Sequence, residues 1–318
     1  MIVFHDPGEV PPGFGPSVVA IGKFDGVHAG HRVVLERARV DAAANGCAVV
    51  VVTFDRHPLS VLRPGKRPES VAGVSQKLRL LAGMGVDATL LLTFDARLAA
   101  LSPRDFVRYV LVEQLQTRTV LVGNDFRFAR DGAGTPETLV ALGEEYGFRV
   151  DVVEDVRAID NERRVSSTWI REALADGDIE TASRLLGHAP SVYGEVVHGL
   201  KRGRELGFPT ANLSHDLEGF VPADGIYAGW LVDESTPLRP GTRYPAAISV
   251  GTNPTFDDVE VRQVEAYVLD EVDLDLYGHM VEVEFTARIR GMVAFSDVEA
   301  LTEQMTDDVR RVRDVLAQ

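Results

Sequence analysis

The sequence predicts two fold classes in one chain: an α/β domain with a parallel sheet covered by helices, then a mainly β domain, an antiparallel barrel or sandwich, with a terminal helix. Three observations predict it. A length of 318 residues exceeds what one ordinary core supports, and 45% hydrophobic with 25% charged content excludes a disordered chain. From residue 17 to about 187, short branched apolar runs alternate with longer stretches of helical period, the pattern of strands covered by helices. Beyond about residue 191 the runs become brief and turn residues separate them at short intervals, which favours antiparallel pairing. The boundary is placed near 187–190, dividing residues 1–187 from 188–318.

In chain order, strands are expected at 18–21, 48–54, 88–93, 119–122 and 149–153, with helices between them. Over 31–44, Val34, Leu35, Ala38 and Ala42 fall near one helix face. Ser102-Pro103 offers a cap with proline in the first turn, and Ser167 or Thr168 offers one for a helix over 169–175. The lone Cys47, next to Ala48 and the valines that follow, reads as a buried strand thiol and cannot form an internal disulfide. Strands follow at 193–197, 226–232, 246–250, 261–269 and 279–285, and residues 296–316 read as an amphipathic helix with a capping Ser296. Segments 62–68 and 233–244 read as exposed loops.

Charge narrows the function. With 48 acidic and 33 basic side chains the net charge is -15, which repels phosphate backbones and argues against a nucleic-acid partner. Any phosphate site must be built locally. Residues 1–16 lack the basic start and apolar run of a signal peptide, and no apolar stretch approaches the roughly 18 residues of a membrane span. A cytoplasmic protein with no membrane partner is expected.

The first candidate site is Gly22-Lys23-Phe24-Asp25-Gly26-Val27-His28-Ala29-Gly30-His31, which leaves the first long strand and opens a helix, where α/β sheets bind ligands. Its glycines let backbone approach a ligand, and two imidazoles at a helix start can donate to phosphate oxygens. It is neither a Walker loop nor a dinucleotide fingerprint. An incidental glycine-rich turn, or a metal site through Asp25, His28 and His31, remains the alternative.

The string G-x-F-D-G-x-H-x-G-H resembles the nucleotidylyltransferase signature of bacterial FAD synthetases, and three further strings match in order. These are Thr53-Phe54-Asp55-Arg56-His57-Pro58, Gly123-Asn124-Asp125-Phe126-Arg127-Phe128 and Ser166-Ser167-Thr168-Trp169-Ile170-Arg171. The family continues after Phe128 with a turn closing in G-D, whereas this chain has Ala129-Arg130-Asp131-Gly132-Ala133-Gly134-Thr135, which loses that acid. On spacing alone, the last string places hydroxyls at a helix start and a guanidinium one turn later, which suits a polyphosphate or an ordinary N-cap. The resemblance implies transfer of AMP from ATP to FMN. It assigns Gly22, Phe24, Asp25, Gly30, Ser166, Ser167, Thr168 and Arg171 to the nucleotide, His28 and His31 to the reacting phosphates, and Asp125, Phe126 and Phe128 to the flavin. His57 is left open between a site residue and a strand-end residue packed on Pro58.

The second candidate site runs from His198 to Leu213, where Gly199, Lys201, Arg202, Gly203 and Arg204 precede Gly207-Phe208-Pro209-Thr210-Ala211-Asn212. A phosphate-contacting loop fits these residues, and so does a solvated basic loop. The string G-R-x-L-G-F-P-T-A-N resembles the hallmark of riboflavin kinases, with Gly251-Thr252-Asn253-Pro254-Thr255-Phe256 and Val264-Glu265-Ala266-Tyr267 following in order. The resemblance implies ATP and Mg2+ at Thr210 and Asn212, phosphate contacts from Gly199, Lys201, Gly203 and Arg204, Glu265 as base, and Tyr277 and Arg290 near the flavin. The whole chain then reads as converting riboflavin to FMN and FMN to FAD, with ATP as the second substrate in both steps. Adenylyl transfer to another phosphorylated acceptor and a flavin-sensing module are the rival readings.

Overall fold

The computed structural model describes residues 1–157, 163–199, 207–235, 241–253, 261–271, 274–295 and 297–317. Contacts divide the chain into two compact units, Met1–Ser70 with Val74–Ser166, and Val71–Gly73 with Ser167–Gln318. The upstream unit is a six-stranded sheet whose strands are β1 (Ile2–Phe4), β2 (Ser17–Ile21), β3 (Ala48–Phe54), β4 (Ala88–Leu92), β5 (Thr117–Gly123) and β6 (Arg149–Val153). Their order is β1-β4-β3-β2-β5-β6, and every pairing is parallel.

Because both faces of the sheet's centre are covered, β2, β3 and β4 are buried and largely apolar rather than alternating, whereas the edge strand β6 carries Arg149 and Asp151. Val18, Ala20, Val49, Val51 and Leu121 pack with Leu35, Ala38, Ala42 and Leu81 on one face. Val19, Ile21, Val50, Val52, Val120 and Val122 pack with Phe106, Val107, Leu111 and Leu139 on the other. The helix Ala29–Asn45 ends where Gly46 adopts a left-handed conformation at φ 62 and its N–H reaches the Ala42 carbonyl. Ser102 caps the next turn by accepting from Asp105 N at 3.1 Å, as its sequence predicts. The chain moves outward from β2 through β3 to β4 on one side and from β5 to β6 on the other. The order therefore reverses between β2 and β5, and a ligand crevice is expected beyond their carboxyl ends.

In the downstream unit, β7 (Ser191–Val197), β8 (Thr210–Leu213), β9 (Gly225–Asp233), β10 (Thr242–Asn253), β11 (Val261–Val268) and β12 (Met280–Arg290) close an antiparallel barrel in the order β10-β11-β8-β7-β12-β9. A Cβ on Gly229 would lie 2.0 Å from the Glu284 carbonyl oxygen, so glycine is required where β9 and β12 approach. The helix Val298–Leu316 buries Val312 against Ala228, Leu269 and Ile289.

Four local expectations are corrected. The expected cap Ser296 lies outside the described residues, and Asp297 caps the terminal helix, accepting from Ala300 N at 2.8 Å with a carboxylate that also complements the helix dipole. The helix expected over 169–175 begins at Ser167, so Ser167 and Thr168 lie in its first turn rather than capping it. Cys47 is half-buried in the turn before β3, its thiol 3.6 Å from the Asn45 carbonyl. The segment 210–213, expected to belong to a loop and proline turn, is strand β8, because β7 and β11 supply backbone partners on both sides.

Candidate functional site

Beyond β2 the chain makes a strained turn. Phe24 (φ 49) and Val27 (φ 41) are both left-handed, and the Val27 N–H donates to the Phe24 carbonyl at 3.2 Å. For a β-branched valine this is a sparsely populated conformation that surrounding structure must hold. Phe24 is 1% exposed, and its ring centroid lies 4.9 Å from that of His31. Asp25 opens a single 3-10 turn, and His28 occupies the N-cap position of Ala29–Asn45. The rings of His28 and His31 then stack at 3.7 Å with 19° between planes. Two glycines keep the packing close: a Cβ on Gly30 would sit 3.1 Å from His28 Cε1, and one on Gly22 would press the Phe24 ring at 3.2 Å.

Burial, aided by the Arg164 guanidinium, pulls the His28 imidazole down to about 4. Burial holds His31 well below the ordinary histidine value, with the charges of His28, Lys23, Lys77 and Arg164 adding to it. Both rings are therefore neutral at pH 7, and their Nδ1 atoms are buried with no hydrogen-bond partner. Such orphaned nitrogens call for a ligand or proton-handling role. Among the described residues, Asp25, His28 and His31 form no three-ligand metal cluster.

Just beyond the carboxyl end of β5, Asp125 is paired with Arg164 at 2.8 Å, and Arg164 also reaches Asp155 at 2.9 Å. Phe126 stacks on Phe128 at 5.4 Å and stays partly exposed, whereas Phe128 is 8% exposed and packs on Phe106. Phe128 thus supports Phe126 from the core instead of offering a face of its own. The altered loop is braced where Phe128 and Gly134 exchange backbone bonds of 3.1 and 3.0 Å and where Arg130 donates to the Ala100 carbonyl. His57 accepts from Leu59 N at 3.1 Å. Ser166 precedes the helix Ser167–Asp176, and within that helix Arg171 reaches Thr168 Oγ1 at 3.3 Å, one turn away as the spacing predicts.

Neutral histidines make a testable statement about stability. Their folded affinity for protons lies below the unfolded value near 6.5, so the unfolded chain binds more protons between those limits and stability rises with pH there. The upstream unit should be fully stable above pH 7. It should lose about 3 kcal/mol through His28 alone as the pH falls from about 6.5 to about 4. Urea titrations followed by circular dichroism across that window would check this; a flat profile would contradict it.

In the barrel, register explains the second site. Asn212 on β8 is the direct partner of Glu265 on β11, and Thr210 lies two residues before Asn212, so the three side chains share one face. Thr210 Oγ1 donates to Glu265 Oε2 at 3.2 Å, Asn212 Nδ2 approaches Thr210 Oγ1 at 3.3 Å, and Gln263 Nε2 donates to Asn212 Oδ1 at 3.2 Å. Burial pushes the Glu265 carboxyl up, against the opposing Thr210 hydrogen bond. Gly199 sits so close over Asn212 that a Cβ there would lie 2.5 Å from Oδ1. A cleft of about 340 Å³ is lined by Gly199, Thr210 and Asn212 and bordered also by Glu271, Asp275 and Tyr277. Tyr277 is 40% exposed, and its ring packs at a tilt against His198 with centroids 3.9 Å apart.

Arg290 is engaged elsewhere. Its guanidinium donates to Asp308 at 2.6 and 2.9 Å, and only 16% of the side chain is exposed, so it ties β12 to the terminal helix. Lys201, Gly203 and Arg204 lie outside the described residues, as do Pro254, Thr255 and Phe256. Sequence reasoning missed Arg164, Lys77 and Gln263. Arg164 stands two residues before Ser166, a position no spacing rule singles out, while Gln263 was accessible from its alternation with Glu265.

A family model described as FAD synthetase matches residues 12–169, and one described as riboflavin kinase matches residues 186–316. A protein of Escherichia coli strain K12 described as bifunctional riboflavin kinase/FMN adenylyltransferase is 36% identical over 93% of this chain and 92% of its own length. The Bacillus subtilis protein of that description is 32% identical over 92% of this chain and 90% of its own. A Streptococcus pneumoniae crystal structure, described as a macrolide-efflux protein, matches with a TM-score of 0.84 and 32% identity over 98% of each chain. Among the described residues no helix is long and apolar enough to cross a membrane.

Proposed function

The chain belongs to the family of bifunctional riboflavin kinases and FMN adenylyltransferases, and on that premise we propose how its residues divide the work. Residues 188–318 phosphorylate riboflavin with ATP to give FMN and ADP. Residues 1–187 then join FMN to the AMP portion of a second ATP, giving FAD and pyrophosphate. The observation that carries this reading is the shared face of Thr210, Asn212 and Glu265, a base beside oxygen donors inside a barrel that matches riboflavin kinase.

In the kinase half, Glu265 accepts the proton of the ribityl 5'-hydroxyl as that oxygen attacks the γ-phosphorus of ATP, with ADP leaving. The raised affinity of Glu265 for a proton suits a base. The Thr210 hydroxyl and Asn212 amide oxygen are hard donors beside a carboxylate, a set that fits Mg2+ brought in with nucleotide phosphates. Bound there, the ion would neutralise phosphate charge. Lys201, Gly203 and Arg204 contact the phosphates in this reading, and Tyr277 borders the flavin. Arg290 acts indirectly, by holding β12 to the terminal helix.

In the adenylyltransferase half, an FMN phosphate oxygen attacks the α-phosphorus of ATP in line and pyrophosphate departs. No protein nucleophile is needed, so the protein aligns the reactants and stabilises charge. His28 and His31 donate N–H groups to the reacting phosphates. Gly22, Phe24, Asp25 and Gly30 shape the loop around the nucleotide, Ser166, Ser167, Thr168 and Arg171 hold the outer phosphates, and Asp125 and Phe126, backed by Phe128, meet the flavin. Since the imidazoles are neutral, the positive charge comes from guanidinium and ammonium groups.

Incubating the protein with riboflavin and MgATP should yield FMN and then FAD on chromatography; an active, folded preparation yielding neither would refute the reading. Gly199→Ala should cut riboflavin phosphorylation by about 10²-fold, because its methyl group must displace Asn212. Formation of FAD from supplied FMN should be unchanged, and an assay with each substrate separately reads both rates.

A further inference from the structure

The strained turn that carries the histidine pair is braced by a lysine from another element. Lys77, in the helix Val74–Gly83, is 7% exposed. Its Nζ donates to the Phe54 carbonyl at 2.7 Å, at the carboxyl end of β3, and lies 3.4 Å from Thr53 Oγ1 and 3.5 Å from the Lys23 carbonyl. Thr53 Oγ1 itself donates to the Lys23 carbonyl at 3.1 Å. One ammonium thus spans the ends of β2 and β3, immediately before the left-handed Phe24.

We propose that Lys77 is a positioning residue for adenylyl transfer, clamping the Lys23 and Phe54 carbonyls so that the 24–27 turn holds His28 and His31 in register with the reacting phosphates. A left-handed phenylalanine and a left-handed valine do not hold such a turn by themselves. Phe24 transmits the constraint, because its buried ring packs directly on His31. Burying an ammonium is costly, and burial pulls Lys77 down to about 8, with Asp25 and Asp55 opposing it. A lysine kept for packing alone would be replaced by an apolar residue without functional loss. The inference rests on the adenylyltransferase reading of this site.

The test uses the full chain with Lys77→Met, which keeps the stem and removes the charge and donors. The kcat for FAD formation from FMN and ATP should fall by about 10²-fold, as expected for misplacement of catalytic groups, with the KM values nearly unchanged. Riboflavin phosphorylation should proceed at the wild-type rate. In proton nuclear magnetic resonance the ring signals of His28 and His31 should move as their stack opens, while those of His198 and His279 stay in place. Lys77→Arg, which keeps a cation and its donors, should recover part of the rate. A folded Lys77→Met protein with wild-type kcat overturns the proposal. If Lys77→Met does not fold, Lys77→Gln removes the charge and is too short to reach both the Phe54 and Lys23 carbonyls while keeping a polar end; it should lower the same kcat, and a folded variant at the wild-type rate overturns the proposal equally. Absence of FAD formation by the wild-type protein would instead strike the reading on which the inference rests.

Discussion

Glu265→Gln is expected to stop riboflavin phosphorylation while FMN supplied to the same protein is still converted to FAD. The substitution is close to isosteric, and the new amide oxygen can still accept from the Thr210 hydroxyl, so the bond now 3.2 Å long and the pairing with Asn212 should survive. What is lost is basicity. Positioned general bases contribute about 10²–10⁴-fold, so kcat should fall by about that factor with the KM for ATP little changed. Acidity gives an independent check. Burial raises Glu265, so in the wild-type enzyme riboflavin phosphorylation should decline on acidification at a pH above that of an exposed glutamate, and the residual rate of the variant should lack that limb. Parallel loss of FAD formation from supplied FMN would mean that the two reactions share a centre.

The legible and illegible parts of this sequence follow from what sets each element. Strands β3 and β6 were readable to the residue, because Val49, Val50, Val51 and Val52 form a buried run bounded by Gly46 and the segment 55–58, and because Gly147 stops the preceding helix before Arg149. β1 escaped notice, being three residues at a sheet edge. β8 escaped because Pro209, Thr210 and Asn212 have turn-like composition; its extended form comes from two neighbouring strands. The site divides the same way. Residues gathered by one short string, such as His28 with His31, could be paired from spacing, since three residues along a helix is nearly one turn. Lys77 and Arg164 converge on that string only because the sheet brings distant segments together, and no local period encodes this. Asn212 and Glu265 are an intermediate case: the motif named them, but only the register put them face to face.

His28→Ala should produce the converse of the barrel variant: FMN accumulates from riboflavin and FAD formation falls. Removing one preorganised donor to developing oxyanion charge costs about 10²–10³-fold in kcat, and His28 is such a donor on this reading. The loss should exceed that from a missing hydrogen bond alone, because alanine leaves His31 without the ring that stacks on it at 3.7 Å. For the same reason His28→Ala and His31→Ala should not be additive, and the double variant should be little slower than the worse single one. Stability supplies a control on the interpretation. Since the wild-type ring must stay neutral when folded, its removal should flatten part of the acid-induced loss between about pH 6.5 and 4. A variant that keeps the wild-type rate of FAD formation while losing that acid sensitivity would show that the imidazole is present but unused, and phosphate stabilisation would then fall to Arg164 and the backbone of the turn.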